Sequence, residues 1–255
     1  MILKNINIIV IFCFSLSFSF SFSQNSELFD QGNELYNNGN YYEAIEKYSS
    51  IVKSGEHSDK LYYNMGNSYY KLNDIANSIY YYEKALLLNP NSETINNNLI
   101  FAQNMLIDKI EILPENQISV FTNSVLKLFN YNTWQYLFIF FEYLAIFLFF
   151  LYLISKKSSL KKKFFITSIS STLLFLLFLI ISTGSKNISE NNNPAIVFDK
   201  QIELREEPNL RSEEIIKLHE GTKLNILESI NDWSLIQLKN GNKGWILTSS
   251  FRTVK

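Results

Sequence analysis

Apolar and polar positions alternate in four different ways along the 255 residues, and each pattern predicts its own kind of element. Behind Lys4, the run from Ile6 to Phe22 is almost wholly apolar, broken by Asn7 and by spaced serines. From Ser26 to Leu106, large apolar residues recur every three or four positions among polar ones, which is the spacing of amphipathic helices. Trp134 to Ile154 and Phe164 to Ser182 are near-continuous apolar stretches, each close to the ~20 residues that cross a bilayer core. From Pro194 the pattern shortens to runs at Ala195–Phe198, Gln201–Arg205, Glu214–Leu218, Lys223–Glu228, Trp233–Leu238 and Lys243–Leu247. Turn residues separate these runs, which predicts a small antiparallel barrel.

The first run ends Ser21-Phe22-Ser23 before Gln24, with small residues where signal peptidase needs them, so residues 1–23 read as a signal peptide, with an uncleaved anchor helix as the alternative. Either assignment exports the chain from Gln24 onward. Cys13 lies inside the apolar core with no small residues before it, so it does not read as a lipidation site. Between the two long apolar stretches, Lys156, Lys157, Lys161, Lys162 and Lys163 put five lysines into eight residues, and positive loops stay in the cytoplasm. The expected order is therefore a helical domain at 24–108, a linker at 109–133 and a transmembrane helix at 134–154. A basic cytoplasmic loop at 155–163, a second transmembrane helix at 164–183, a linker at 184–193 and a β domain at 194–255 follow. Both soluble domains face outward from a bacterial inner membrane, with Trp134 and Tyr136 in the outer aromatic belt.

Glu142 breaks the first membrane stretch. Counted from the cytoplasmic ends, it stands twelve residues above Ile154, or ~18 Å at 1.5 Å per residue. The hydroxyls Thr167, Ser168, Ser170, Ser171 and Thr172 stand three to eight residues above Phe164, which leaves a gap of at least ~6 Å. Glu142 then belongs near the outer interface or meets another membrane subunit.

Composition narrows the chemistry. The net charge of −1 gives no basic face for nucleic acid. One cysteine and two histidines, His57 and His219, make intramolecular disulfides and Cys-based metal sites impossible and histidine catalysis poorly supplied. Residues 24–115 carry 13 acids and 6 lysines, whereas residues 194–255 carry nine of each sign. An acidic exported domain favours proteins and neutral or cationic ligands over anionic lipid. No neighbourhood combines nucleophile, base and orienting group, so no catalytic residue, metal site or cofactor is expected.

Gly32 and Gly66 lie thirty-four residues apart, and the same offset pairs Leu28 with Tyr62, Leu35 with Tyr69, Ala44 with Ser78, Tyr48 with Tyr82 and Ile51 with Ala85. This period, closed by Pro90, resembles the tetratricopeptide repeat. The resemblance covers Ser26 to Asn91, with a continuing helix from Ser92 to Leu106 as a cap; Glu56 stands where the first unit would end in proline. The glycines would let paired helices approach closely. Two units bury little core, so the stack is expected to need a partner.

The first helices of such units line a concave face, which places Phe29, Asn33, Tyr36, Tyr63, Asn67 and Tyr70 in a candidate partner-binding groove. Asn33 and Asn64 occupy places that hold a peptide carboxylate in some repeats, but Phe29 stands where that clamp wants lysine. Generic packing is the preferred assignment for the asparagines, and an aromatic groove for a partner segment is the functional expectation.

In the last segment, Leu204 to Pro208, Leu218 to Thr222, Asp232-Trp233 and Asn240 to Ile246 resemble a bacterial SH3 domain. Trp233 and Trp245 are its candidate surface, core packing being the competing assignment, and His219 reads as a turn residue. Such modules often bind cell-wall peptides or other proteins. The whole order resembles the BatE-type members of the Bat aerotolerance group, a likeness that Asn97 to Ala102, Asp108 to Ile110, Leu113-Pro114 and Ala195 to Phe198 support. The fold class is then a multidomain membrane protein: an all-α tetratricopeptide-repeat module, a transmembrane helical hairpin and a small all-β SH3-like barrel. The resemblance implies a non-catalytic scaffold that works with von Willebrand A-type Bat proteins and, indirectly, a MoxR-type ATPase in stress or oxygen tolerance. Peptidoglycan anchoring through the SH3-like domain is the alternative.

Overall fold

A computed structural model describes residues 25–110, 116–126, 128–129 and 131–255. The signal-peptide assignment and Cys13 lie outside the described residues. Two compact units emerge, one formed by Met1–Glu111 with Asn193–Lys255 and the other by Ile112–Asn192.

The first unit opens with helices α1 (25–37), α2 (Tyr41–Lys53), α3 (Asp59–Lys71), α4 (Ile75–Leu88) and α5 (Glu93–Asn104). Three starts are fixed locally: the side chains of Ser58, Asp74 and Ser92 accept the amides of Leu61, Asn77 and Ile95. Helices α1/α2 and α3/α4 form two hairpins of the thirty-four-residue period, and α5 repeats the position of α3. The reason for the glycines is a ring. A Cβ on Gly32 would lie 2.4 Å from Tyr48 Cε1, and one on Gly66 2.6 Å from the Tyr82 ring, so each tyrosine of the second helix lies flat against the first. Ala44, Tyr48, Leu61, Met65, Ile79, Tyr82 and Ala85 are fully or almost fully buried around these contacts. Ile100 takes the glycine's place in α5 and is exposed.

The rest of this unit is β-sheet: β1 (Pro194–Val197), β2 (Gln201–Arg205), β3 (Glu214–His219), β4 (Lys223–Ile230), β5 (Trp233–Gln237), β6 (Lys243–Leu247) and β7 (Phe251–Thr253). All pairings are antiparallel, in the order β3-β2-β6-β5-β4-β1-β7. Six strands fall on the expected runs within two residues at either end. The seventh, three residues after a single 3₁₀ turn, is too short to show a period of two. Ala195, Val197, Leu204, Leu218, Leu224, Ile236 and Ile246 fill the core of the sheet.

In the second unit, α6 (Gln117–Leu126) is helical within the expected 109–133 linker. Two further helices, α7 (Tyr131–Ile154) and α8 (Ser158–Asn191), are long and apolar enough to cross a membrane. They pack along a seam spaced alternately by three and four residues. On α7 it consists of Trp134, Phe138, Phe141, Ala145, Leu148 and Tyr152, and on α8 it runs through Ser168, Ser171, Phe175 and Phe178, with Ser182 and Ser185 buried further along the helix. Ser168 Oγ donates to Ala145 O at 3.1 Å and Ser171 Oγ to Phe141 O at 2.9 Å.

This register corrects the expected one. The segment 155–163 is not a free loop, because α8 begins at Ser158 and takes in Leu160 to Lys163; lysine and leucine are good helix formers and nothing there stops the helix. Likewise the 184–193 linker is helical through Asn191. With only 155–157 connecting the helices, the hydroxyls stand higher on α8 than a count from Phe164 gives. Ser171 lies level with Phe141, one residue from Glu142, instead of ~6 Å short of it. Glu142 itself is exposed and outside the seam.

Candidate functional site

The two hairpins of α1–α4 are joined by a hydrogen-bond ladder that repeats with the sequence. Tyr48 Oη and Asn64 Nδ2 both donate to Asn33 Oδ1 at 2.8 Å. One unit on, Tyr82 Oη donates to Asn67 Oδ1 at 2.7 Å and Asn98 Nδ2 to the same oxygen at 2.8 Å. Asn33 and Asn67, Tyr48 and Tyr82, and Asn64 and Asn98 are each thirty-four residues apart. Each asparagine oxygen thereby ties the second helix of its own unit to the first helix of the next. Burial pushes the Tyr48 hydroxyl up to about 12, against which the asparagine contact at Asn64 works, and burial likewise raises Tyr82.

Above the second rung opens a cavity of about 260 Å³ lined by Tyr36, Tyr63, Asn67, Tyr70, Lys71, Tyr82, Asn98 and Phe101. Four of the six expected groove residues, Tyr36, Tyr63, Asn67 and Tyr70, meet there. Two do not. Phe29 packs on the Tyr48 ring at 5.9 Å in the helical core, and Asn33 is engaged by the first rung. Because Asn64 points its amide at Asn33, the pair satisfies itself instead of facing a peptide carboxylate. Tyr63 also supports the fold, accepting Asn98 Nδ2 at 3.0 Å. Lys71, Asn98 and Phe101 are not among the expected groove residues, and Tyr82 is expected only as a packing position. Asn98 carried a signal, since it stands one period after Asn64, whereas Phe101 breaks the period by replacing the next asparagine. The cavity offers aromatic faces, amide groups and one cation, a surface suited to a peptide segment and without a base or nucleophile pair.

A second cavity, about 220 Å³, lies on the β module among Asp199, Gln201, Ile202, Glu203, Arg205, Leu210, Trp233, Leu247 and Ser250. Trp233 is half-buried in its wall. Trp245 is half-buried too and, paired across the sheet with Arg205 and Leu235, stands on the same face as Trp233 but outside the lining of this cavity. Arg205 is held by Glu203 and by Ser212 O at 2.6 Å.

Helices and sheet also meet each other, and the joint recruits a repeat position. Asp74 caps α4; Asp108, thirty-four residues later, has no helix to cap. Its carboxylate instead accepts His219 N at 2.6 Å, Thr222 Oγ1 at 2.6 Å and, through the other oxygen, pairs with His219 Nδ1 at 2.7 Å. Burial pushes the Asp108 carboxyl up, but these donors and the adjacent imidazole outweigh it and hold it below its usual value. Lys223 Nζ reaches buried Glu83 at 2.6 Å. Ile196 and Val254 enter the helical core, Phe198 packs on Tyr80, and Ile110 packs against the core of the sheet. At Gly221, with φ of 85°, a Cβ would lie 2.5 Å from Leu106, so this turn sits directly on the helices. His219 is thus a junction residue as well as a strand end.

Residues 200–251 match the bacterial SH3 domain family, and residues 60–92 match the tetratricopeptide repeat family. No curated protein matches the chain. The first match spans β2 to the start of β7, and the second spans α3 and α4. The tetratricopeptide match suggests protein–protein interaction, and the bacterial SH3 match suggests peptidoglycan binding. The first hairpin lies outside the match, but its ladder reproduces that of the second.

Proposed function

We propose that the chain is a non-catalytic scaffold of a bacterial inner membrane that captures segments of partner proteins in the cavity between Tyr36, Tyr63, Tyr70 and Phe101. The observation that carries this reading is the cavity itself: aromatic side chains and the amides of Asn67 and Asn98 surround about 260 Å³ with Lys71 at its edge. Aromatic residues of this kind dominate binding energies at interfaces. The five lysines in the short connection and the first turns of α8 support an orientation with the repeats and the SH3-type barrel outside the cytoplasm. The order of modules supports a BatE-like role, in which the partners are von Willebrand A-type proteins and, indirectly, a MoxR-type ATPase, and the setting is stress or oxygen tolerance.

The test is co-purification of such partners with the detergent-solubilised full chain, comparing it with Tyr36→Ala/Tyr70→Ala. Tyr63 is left intact because of its bond from Asn98. Loss of partner capture with an unchanged circular dichroism spectrum is the expected outcome; full retention refutes the groove. A second reading, peptidoglycan binding, is supported by the acidic cleft beside Trp233. Trp233→Ala then abolishes sedimentation with purified sacculi while the tyrosine pair has no effect.

A further inference from the structure

The outer surface of α7 carries a second seam. Displaced by one residue from the set that packs on α8, Gln135, Ile139, Glu142, Ile146, Phe149 and Leu153 follow the same alternating spacing of four and three. Every lipid-facing side chain of a hairpin is exposed, so exposure alone says nothing. What marks this stripe is its chemistry: it holds the one charged residue of α7, and a glutamine stands seven residues before it.

Glu142 is eleven residues from Tyr131 and twelve from Ile154, so it lies at mid-span, ~17 Å from either end. The hairpin also supplies no donor. Ser168 and Ser171 give their hydroxyls to α7 carbonyls, Thr167 and Thr172 bond back within α8, and among the described residues no hydrogen bond or ion pair reaches Glu142. An ionisable group at this depth is costly unless a partner meets it.

We propose that this stripe is a docking seam for a transmembrane helix of another protein that carries a lysine or arginine at mid-depth. A second copy of this chain cannot provide the cation. α7 has no basic residue, and α8 has none between Lys163 and Lys186, whereas Ser171 marks the level of Glu142. Ile139 and Ile146 flank the carboxylate by one turn on each side and supply the shape of an ordinary helix-packing ridge, while Gln135 donates to Tyr131 Oη at 2.6 Å within α7. The inference rests on the membrane reading proposed above.

The test uses the full chain, donor-labelled and reconstituted in phosphatidylcholine vesicles. Acceptor-labelled leucine-rich transmembrane peptides with a central lysine or a central leucine are the probes; the lysine sits at mid-depth whichever way the peptide inserts. Energy transfer to the lysine peptide is expected at roughly tenfold lower mole fraction than to the leucine peptide. Glu142→Leu should erase that preference, and Glu142→Gln should weaken it; both substitutions leave an intact apolar helix. Equal transfer to both peptides overturns the proposal. So does transfer between labelled copies of the chain that is lost in Glu142→Leu without any lysine preference, since that outcome makes the second copy the occupant. Flotation of the same vesicles tells the two levels apart: a chain that does not float with lipid overturns the membrane reading and the seam together, whereas one that floats without a lysine preference overturns the seam alone.

Discussion

Between α3 and α4 a tyrosine ring lies on a glycine, and its hydroxyl bonds to the side chain of Asn67; between α7 and α8 serine hydroxyls bond straight to backbone carbonyls. Both are antiparallel helix pairs, but their polar groups do different things. In the repeats, burial of large aromatic area drives the packing, and the Asn–Tyr ladder fixes which helix meets which. Between α7 and α8 the small residues Ala145, Ser168 and Ser171 let the backbones approach and bond through short hydroxyls, and stacked aromatic rings fill the rest of the seam. The same logic explains the different seams. The repeats use a glycine once per thirty-four residues, while α8 uses two serines in succession, Ser168 and Ser171, at one end of its seam.

The largest expected effect breaks the repeat side of this comparison. Gly66→Leu puts carbon where the Tyr82 ring lies and should cost about 3 kcal/mol or more. Denaturation of the chain in detergent micelles, followed by tyrosine fluorescence, should show an early loss of the helical unit; an unchanged midpoint would remove the ring-on-glycine account. Next comes the joint. Lys223→Ala leaves the buried Glu83 carboxylate without its cation and should destabilise the same transition by about 1–2 kcal/mol, with Lys223→Arg close to wild type.

Acid should act on the joint through Asp108. Its carboxyl is held low in the folded chain, so its contribution is complete above the ordinary carboxylate value of about 3.9 and is lost as pH falls through the still lower folded value. Stability measured from pH 6 down to pH 2 should therefore decline at the acid end, and Asp108→Asn should flatten that part of the curve. A slope that Asp108→Asn leaves intact would assign acid sensitivity elsewhere. The smallest effect belongs to the hairpin. Ser171→Ala removes one hydroxyl bond and should weaken helix association by only about 0.6 kcal/mol, read from thermal unfolding of the micelle-bound helices. A loss as large as that of Gly66→Leu would show that the two helix pairs are not held differently after all.

Periodicity made much of this legible. The thirty-four-residue offset located Gly32, Gly66, Tyr48 and Tyr82 as packing positions, and the apolar stretches located α7 within three residues at both ends but missed the first six residues of α8. Four residues of the cavity, Tyr36, Tyr63, Asn67 and Tyr70, followed from the same offset because a regular repeat puts equivalent positions on one face. Phe29 and Asn33 shared that face by count but were claimed by Tyr48, a choice that depends on where a ring from another helix lands.

What the sequence determined by itself is whatever depends on neighbours within about one helical turn or one strand: the order of elements, the helix starts at Ser58, Asp74 and Ser92, the repeat period and the apolar length of α7 and α8. Tertiary structure decided the rest. The register of α7 on α8 turned on where α8 begins, since each residue added before Phe164 moves the serines by 1.5 Å along their partner. The closure of the short repeat stack was decided by residues more than a hundred positions away, where Asp108, at the place of a missing helix cap, met His219 and Thr222. No local pattern encodes such a meeting, because the carboxylate would serve a helix or a turn equally well, and only the packing of Ile196, Val254 and Gly221 against the helices brings the turn within reach.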